Sequence, residues 1–278
     1  MPDIETVLLI VGVLLLVTVL AARLSERLRV PSLLLFLLVG MLAGSEGPGG
    51  IEFESPEAAQ ALGTAALAII LFSGGLDTRW SAVRPVLAPG LTLATAGVVA
   101  TAVIVGGAAW WLLGTFTSFE LGQGGLGWPE ALLLGVIVSS TDAAALFAMF
   151  RGSGPRPNRR IRSVLELESG TNDPFAVILT TAVLGVLTSG SDGADGVVLD
   201  LLFQVSLGVL AGVVLGWLGA ELTNRLQLGT KGLYPVLAVA IGLVAFGVSD
   251  LIGANPFLAV YLAGMLLGNR IRTQRDLI

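Results

Sequence analysis

The chain has 278 residues but no cysteine and no histidine, and only 13% of its residues are charged. The absence of both residue types excludes a disulfide framework, cysteine catalysis and the common zinc sites. A soluble domain usually carries about 25% charged residues, so half of the expected charge is missing. The net charge of −5 also argues against a nucleic-acid partner. Together these absences exclude an ordinary soluble globular protein.

Apolar residues make up 54% of the chain, and the mean hydropathy is +0.88. A helix that spans a membrane needs roughly 17–25 predominantly apolar residues. Nine stretches come near or above that length, and they cover residues 5–22, 30–45, 58–76, 85–114, 130–150, 161–189, 197–221, 232–249 and 252–269. The sequence therefore predicts an all-α polytopic membrane protein with nine helices.

The basic residues test this layout, because cytoplasmic loops of membrane proteins are enriched in Lys and Arg. All 15 lie in five segments, at residues 23–29, 79–84, 151–162, 225–231 and 270–275. The intervening connections, at 46–57, 115–130, 190–200 and near 250, contain acidic residues but no Lys or Arg. This strict alternation predicts that every stretch crosses the membrane, with the N-terminus outside and residue 278 in the cytoplasm.

An internal similarity relates the second and ninth helices. Residues 37–44 (LLVGMLAG) resemble residues 261–268 (YLAGMLLG), and the two helices are predicted to cross the membrane in opposite directions. Short strings of Gly, Leu and Ala also recur by chance, but inverted repeats are typical of secondary transporters. We therefore expect a first repeat of six helices at 1–189, a linker helix at 197–225 and the start of a second repeat at 231–278. On this prediction the chain is an N-terminal fragment that lacks four helices.

Three carboxylates lie inside the predicted spans, where charge is costly and usually functional. Asp142 is in the fifth helix, and Glu168 and Asp173 are in the sixth, with Glu166 shortly before them. No Lys or Arg lies at a matching depth. Such acids require cations, which can be protons, metal ions or an arginine from another helix.

Polar groups surround these acids. Three hydroxyl residues at 139–141 precede Asp142, where they can satisfy a broken helix backbone or simply form a packing face. Ser169, Asn172 and Asp173 share one face of the sixth helix, because they are three and four residues apart. Such oxygen groups suit hard monovalent cations and protons, although a buried polar cluster that only joins two helices is the alternative. In a chain without histidine, protons must be carried by acids.

Three motifs carry a family resemblance: STDAAA at 140–145, RGSG at 151–154 and LELESGTNDP at 165–174. The chain resembles the monovalent cation:proton antiporters, in particular the NhaP-type family and its bacterial potassium/proton branch. The resemblance implies a fold of thirteen helices, of which nine are present, with two inverted repeats and two broken helices that cross beside the ion site. It also implies a homodimer among the lipids of the bacterial inner membrane. The transported ions would be K⁺ or Na⁺ and H⁺, with no cofactor.

The resemblance also suggests roles for individual residues. Asp173 resembles the family's ion- and proton-binding aspartate, and Asn172 resembles its neutral neighbour in electroneutral members. Thr141 and Asp142 resemble the pair at the broken-helix crossing. The resemblance further implies that Ser169 ligates K⁺ or Na⁺ together with Asp173 and Thr141, and that Glu168 pairs with an arginine of a later helix that this chain does not contain. Many members have Thr-Asp-Pro where this chain has Thr-Asp-Ala.

Two other functions are alternatives to antiport. An intramembrane aspartyl protease could use Asp142 and Asp173, but such enzymes require Gly-x-Gly-Asp where this chain has Gly-Thr-Asn-Asp. A passive cation channel would carry a ring of filter carbonyls or acids, and no filter motif is visible. The sequence therefore predicts a non-enzymatic, electroneutral antiporter that works by alternating access.

Overall fold

The computed structural model describes residues 3–28, 30–53, 55–116, 126–141, 158–189, 194–226, 228, 230 and 232–271. Within these ranges the chain forms nine helices, which we number in order. They are α1 (Ile4–Leu28), α2 (Ser32–Ala43), α3 (Pro56–Asp77), α4 (Trp80–Phe116), α5 (Trp128–Ile137), α6 (Arg159–Ser189), α7 (Ala194–Arg225), α8 (Leu233–Leu251) and α9 (Pro256–Arg270). Helix α4 includes a 3-10 turn at Arg84–Val86 and a π-helical turn at Leu93–Gly97.

Each predicted apolar stretch overlaps one of these helices, so the nine-helix prediction is confirmed for the described part of the chain. Six helices there are long and apolar enough to cross a membrane. Helices α2 and α5 are apolar but have only 12 and 10 residues. At about 1.5 Å per residue, neither can span a hydrocarbon core of about 30 Å by itself. The chain is therefore a multi-helix membrane protein in which some helices are short.

The chain divides into two compact units, of which the first comprises residues 1–60 and 142–157. In its described part, α1 packs along α2. The chain turns back after α2, where Ile51 N–H donates to the Ala43 carbonyl oxygen at 3.0 Å. A positive φ of 59° at Gly50 allows this tight turn, since glycine adopts that conformation without strain.

The second unit comprises residues 61–141 and 158–278, and one of its two helix groups is built around α9. The second half of α3 and helices α7 and α8 surround α9, and their buried side chains form a single apolar core. This burial fits a helix that is apolar nearly all round. The residues of α9 that are buried are Ala259, Val260, Tyr261, Ala263, Gly264, Met265, Leu267 and Gly268.

Helix α7 approaches α9 closely through a stripe of glycines at positions 208, 212 and 216. A Cβ added at Gly212 would lie 2.6 Å from the carbonyl oxygen of Ala259. A Cβ added at Gly216 would lie 2.7 Å from Cα of Ala263. Spacing small residues by four lets membrane helices pack backbone to backbone. This packing accounts for part of the high glycine content of the sequence.

The other helix group of this unit consists of α4, α5 and α6. Gly106 of α4 lies against α5, where an added Cβ would be 3.0 Å from the carbonyl oxygen of Ala131. Gly90 of α4 lies against the side chain of Leu167 on α6. A Cβ added at Gly90 would lie 2.6 Å from Cδ2 of Leu167. Helix α6 packs against both α4 and α5, and the end of α5 lies beside the middle of α6.

Candidate functional site

The site begins where α5 ends. The helix stops at Ile137, and residues 138–141 are not helical, within the apolar stretch predicted at 130–150 and at the place where the family resemblance implies a broken helix. Ser139 contributes to the break, because its buried hydroxyl donates to the Val136 carbonyl oxygen at 2.7 Å. Short hydroxyl side chains compete in this way with the helical backbone pattern. As a result, the chain leaves the helix, and the side chains of Ser140 and Thr141 reach α6.

Helix α6 contributes the other side of the site. Pro174 lies inside this helix and has no N–H, so the Gly170 carbonyl lacks the usual helical donor four residues later. Pro174 and Asn172 are both fully buried. The polar segment Glu168–Asp173 thus lies just before a weak point in the hydrogen-bonding pattern of α6.

Asn172 is the centre of the hydrogen-bond network. Its side chain is 0% exposed. The amide nitrogen Nδ2 donates to Glu168 Oε1 at 3.0 Å, as the spacing of one helical turn predicts. It also donates to Thr141, at 2.8 Å to the hydroxyl and 3.2 Å to the carbonyl oxygen. Asn172 therefore joins the segment after α5 to α6.

Thr141 completes the link to Glu168. Its hydroxyl donates to Glu168 Oε1 at 2.7 Å while it accepts from Asn172. One carboxylate oxygen of Glu168 is thus held by two donors from different elements. The pairing of Glu168 with an arginine of a later helix remains a prediction.

Asp173 is partly buried and accepts a hydrogen bond from the Ser140 hydroxyl at Oδ1. The same hydroxyl lies 3.4 Å from Asn172 Oδ1. The structure therefore brings Ser140, Thr141, Glu168, Asn172 and Asp173 together. Ser140 was missing from the predicted site residues, although its place directly before the Thr-Asp pair was a signal that could have identified it.

The remaining predicted residues lie as follows. Ser169 is partly buried on α6, one turn before Asp173. Asp142 lies outside the described residues. Glu166 is 42% exposed and forms an ion pair with Arg162 Nε at 2.7 Å, one turn earlier on α6. This ion pair distinguishes Glu166 from Glu168, whose described partners are a threonine and an asparagine.

Tyr261 is a second residue that the sequence reasoning missed. It is 1% exposed on α9, and a Cβ added at Gly170 would lie 2.7 Å from its ring atom Cε2. Its hydroxyl lies 3.4 Å from the Thr78 hydroxyl and hydrogen-bonds Thr171. A tyrosine within an apolar string, one of only two in the chain, was the available signal. Tyr261 connects the α9 group to the polar segment of α6.

The donor set determines what this site can bind. Among the described residues, no cluster of three or more His, Cys, Asp or Glu side chains could hold a transition metal. The groups that meet here are hydroxyl, carboxylate, amide and backbone oxygens, which suit hard cations. The sequence has no Lys or Arg between residues 163 and 224, a range that includes Glu168 and Asp173. Oxygen donors of this kind are chemically suited to a monovalent cation or a proton.

Comparison with known proteins agrees with this chemistry. The family model described as "Sodium/hydrogen exchanger, transmembrane" matches residues 12–277. The chain therefore belongs to the sodium/hydrogen exchanger family.

Two relatives are similar to this chain over nearly its whole length. The chain is 42% identical to a K⁺/H⁺ antiporter NhaP of Alkalimonas amylolytica, over 97% of this chain and 45% of that protein. It is also 42% identical to a K⁺/H⁺ antiporter NhaP2 of Shewanella oneidensis, over 96% of this chain and 45% of that protein. The chain thus spans less than half the length of these curated relatives.

A solved structure shows the same fold. The sodium proton antiporter MjNhaP1 of Methanocaldococcus jannaschii matches with a TM-score of 0.73 at 23% sequence identity. The match covers 97% of this chain and 62% of that one. The predicted antiporter-like fold is therefore confirmed.

Proposed function

We propose that the full gene product exchanges a monovalent cation, K⁺ or Na⁺, for H⁺ across the bacterial inner membrane. The observation that carries this proposal is Asp173, a carboxylate within a membrane helix that is held by the hydroxyl of Ser140 at a helix break. An intramembrane carboxylate next to a broken helix is suited to binding ions in transporters. The names of the relatives, which include K⁺/H⁺ antiporters, make K⁺ the first cation to test.

The exchange follows from competition for one carboxylate. When Asp173 faces the side rich in cations, a cation binds and the proton leaves to the solution. When the site faces the other side, the cation leaves and a proton is taken up from that solution. Either ligand neutralises the same negative charge, and Asn172 adds no charge of its own. One cation is therefore exchanged for one proton, with no net movement of charge.

The ligands of the cation are assigned on the same basis. Asp173, Ser169 and the carbonyl or hydroxyl oxygen of Thr141 bind it, and Asp142 contributes from outside the described residues. In this proposal Asn172 keeps the two broken helices together. Glu168 pairs with an arginine of a later helix, as the family resemblance implies.

The proposal is tested with the full gene product in liposomes that contain a pH-sensitive dye. Addition of K⁺ or Na⁺ on one side should move protons in the opposite direction, because both ions compete for Asp173. The rate should not change when valinomycin or an equivalent ionophore clamps the membrane potential at different values. Exchange driven by the potential alone would contradict the electroneutral mechanism, and a lack of any cation effect would contradict antiport.

The orientation and the repeat organisation belong to the same proposal. We propose that the N-terminus is outside and that residue 278 is cytoplasmic. In this proposal the first repeat covers residues 1–189, the linker helix covers residues 197–225, and residues 231–278 form the start of the second repeat. A homodimer, as the family resemblance implies, is the proposed assembly.

Topology reporters test the orientation at two positions that lie outside the described residues. A reporter at Asp192 should be accessible from outside, and one at Arg156 should be accessible from the cytoplasm. The basic segment 151–162 and the acidic segment 190–200 lie at opposite ends of α6, which is the reason for the opposite outcomes. Detection of both reporters on one side would contradict the nine crossings.

A further inference from the structure

Ser140 touches both residues of the Asn-Asp pair. Its Oγ donates to Oδ1 of Asp173 and lies 3.4 Å from Oδ1 of Asn172. A serine hydroxyl has one proton to donate and two lone pairs to offer. The carboxylate takes the proton, since charge-assisted hydrogen bonds are the stronger ones. The lone pairs are then available to another partner of Asp173.

The two neighbouring hydroxyls have different partners. Ser139 donates to the Val136 carbonyl oxygen at 2.7 Å, within the last turn of α5. Thr141 donates to Glu168 and accepts from Asn172, so its hydroxyl is part of the link between the elements. Ser140 directs its proton to the proposed ion carrier. Three consecutive hydroxyl residues therefore have three separate roles.

Given the proposed exchange function, on which this inference rests, we propose that Ser140 is a specificity-determining ligand of the transported cation. Without a cation, its hydroxyl donates to Asp173. When a cation binds to the Asp173 carboxylate, the O–H bond rotates and the Ser140 oxygen contacts the cation. This change requires rotation about the Cβ–Oγ bond and no movement of the backbone, because Oγ is already next to Oδ1.

This role affects selectivity because a bound cation exchanges its hydration water for protein oxygens. Discrimination between K⁺ and Na⁺ depends on the size of the cavity and on the number of oxygens that line it. Ser140 lies on the non-helical segment that follows α5, and it donates to Asp173 on α6, so its oxygen contributes to both properties. Removal of this oxygen should change the binding of the two cations to different extents.

The test compares Ser140→Ala with the unmodified full gene product in liposomes, with K⁺ and Na⁺ measured separately. We expect the apparent KM for the preferred cation to rise about tenfold, as for the loss of one polar partner, with little change in the maximum rate. The ratio of the two KM values should also change. Ser140→Thr, which keeps the hydroxyl, should restore the KM to within about twofold of the unmodified value.

Two further variants make the result specific. Thr180→Ala removes a hydroxyl of α6 that donates to the Ala176 carbonyl oxygen at 2.8 Å, and it should leave both KM values unchanged. Ser140→Cys keeps the approximate volume but replaces oxygen with sulfur, which binds hard cations poorly, and should raise KM even if the alanine variant does not fold. Unchanged KM values in Ser140→Cys, or equal increases for both cations in Thr180→Ala and Ser140→Ala, would overturn the role of Ser140. Loss of exchange in the unmodified protein would instead contradict the proposed function.

Discussion

Replacement of Asp173 by asparagine is expected to abolish cation-dependent proton exchange, to the level of liposomes without protein. The amide has nearly the same volume, and its oxygen can still accept the hydrogen bond from Ser140. It has no negative charge to bind a cation, and it cannot take up a proton. The variant should therefore insert and fold normally, as judged by its yield and elution volume in detergent, while it fails to transport.

Asp200→Asn provides a matched control on the neighbouring helix. Asp200 lies on α7 and lines a small pocket with Thr181 and Gln204, away from the hydrogen bonds of Ser140 and Asn172. The control makes the same chemical change in a membrane helix and should retain exchange. If Asp173→Asn retained exchange and Asp200→Asn lost it, the carrier would be on α7, and the assignment of the site to α6 would be wrong.

The helices could be predicted because the membrane restricts their length and the charge of their connections. Apolar stretches and the alternation of basic and acidic connections were sufficient to place all nine. The acids at positions 168 and 173 were predicted for a related reason, since charge is costly in a membrane and is retained where it functions. The contact between Glu168 and Asn172 followed from helical spacing alone.

The parts of the site that could not be predicted depend on backbone that is not helical. Helix α5 ends at Ile137, and the path of the next four residues brings Ser140 to Asp173. No periodicity in the sequence determines such a path. The contact of Tyr261 with Gly170 was also missed, because it depends on how α9 packs against α6.

The sequence leaves two roles open for Asn172, which are to set the stoichiometry of exchange or to join the broken helices. The hydrogen bonds in the structure favour the joining role. Its amide donates to Glu168 and to both oxygens of Thr141, and it is fully buried. In Asn172→Asp these donors are replaced by an acceptor that faces three other acceptors. A buried polar group that loses its partner costs about 1–3 kcal/mol, and a charged group costs more.

We therefore expect Asn172→Asp to lower the thermal midpoint of the purified protein. The exchange rate should also fall at least tenfold, because a free-energy loss of about 1.4 kcal/mol corresponds to a factor of ten. The alternative is a stable variant that moves net charge when the membrane potential is clamped. That outcome would show that the neutral side chain at 172 sets the stoichiometry. It would contradict the inference that the main role of Asn172 is to join α6 to the segment after α5.

The double variant Glu168→Gln with Asn172→Asp should recover much of the lost stability, because it exchanges the donor and the acceptor. The glutamine amide can donate to the new carboxylate across the 3.0 Å contact, and the total charge of the pair is unchanged. The Thr141 hydroxyl can then donate to position 172 and accept from position 168, the reverse of its present bonds. A double-mutant cycle on thermal unfolding measures this coupling, which should favour the double variant by about 0.5–3 kcal/mol. Additive losses in the cycle would show that the two side chains do not act through their mutual hydrogen bond.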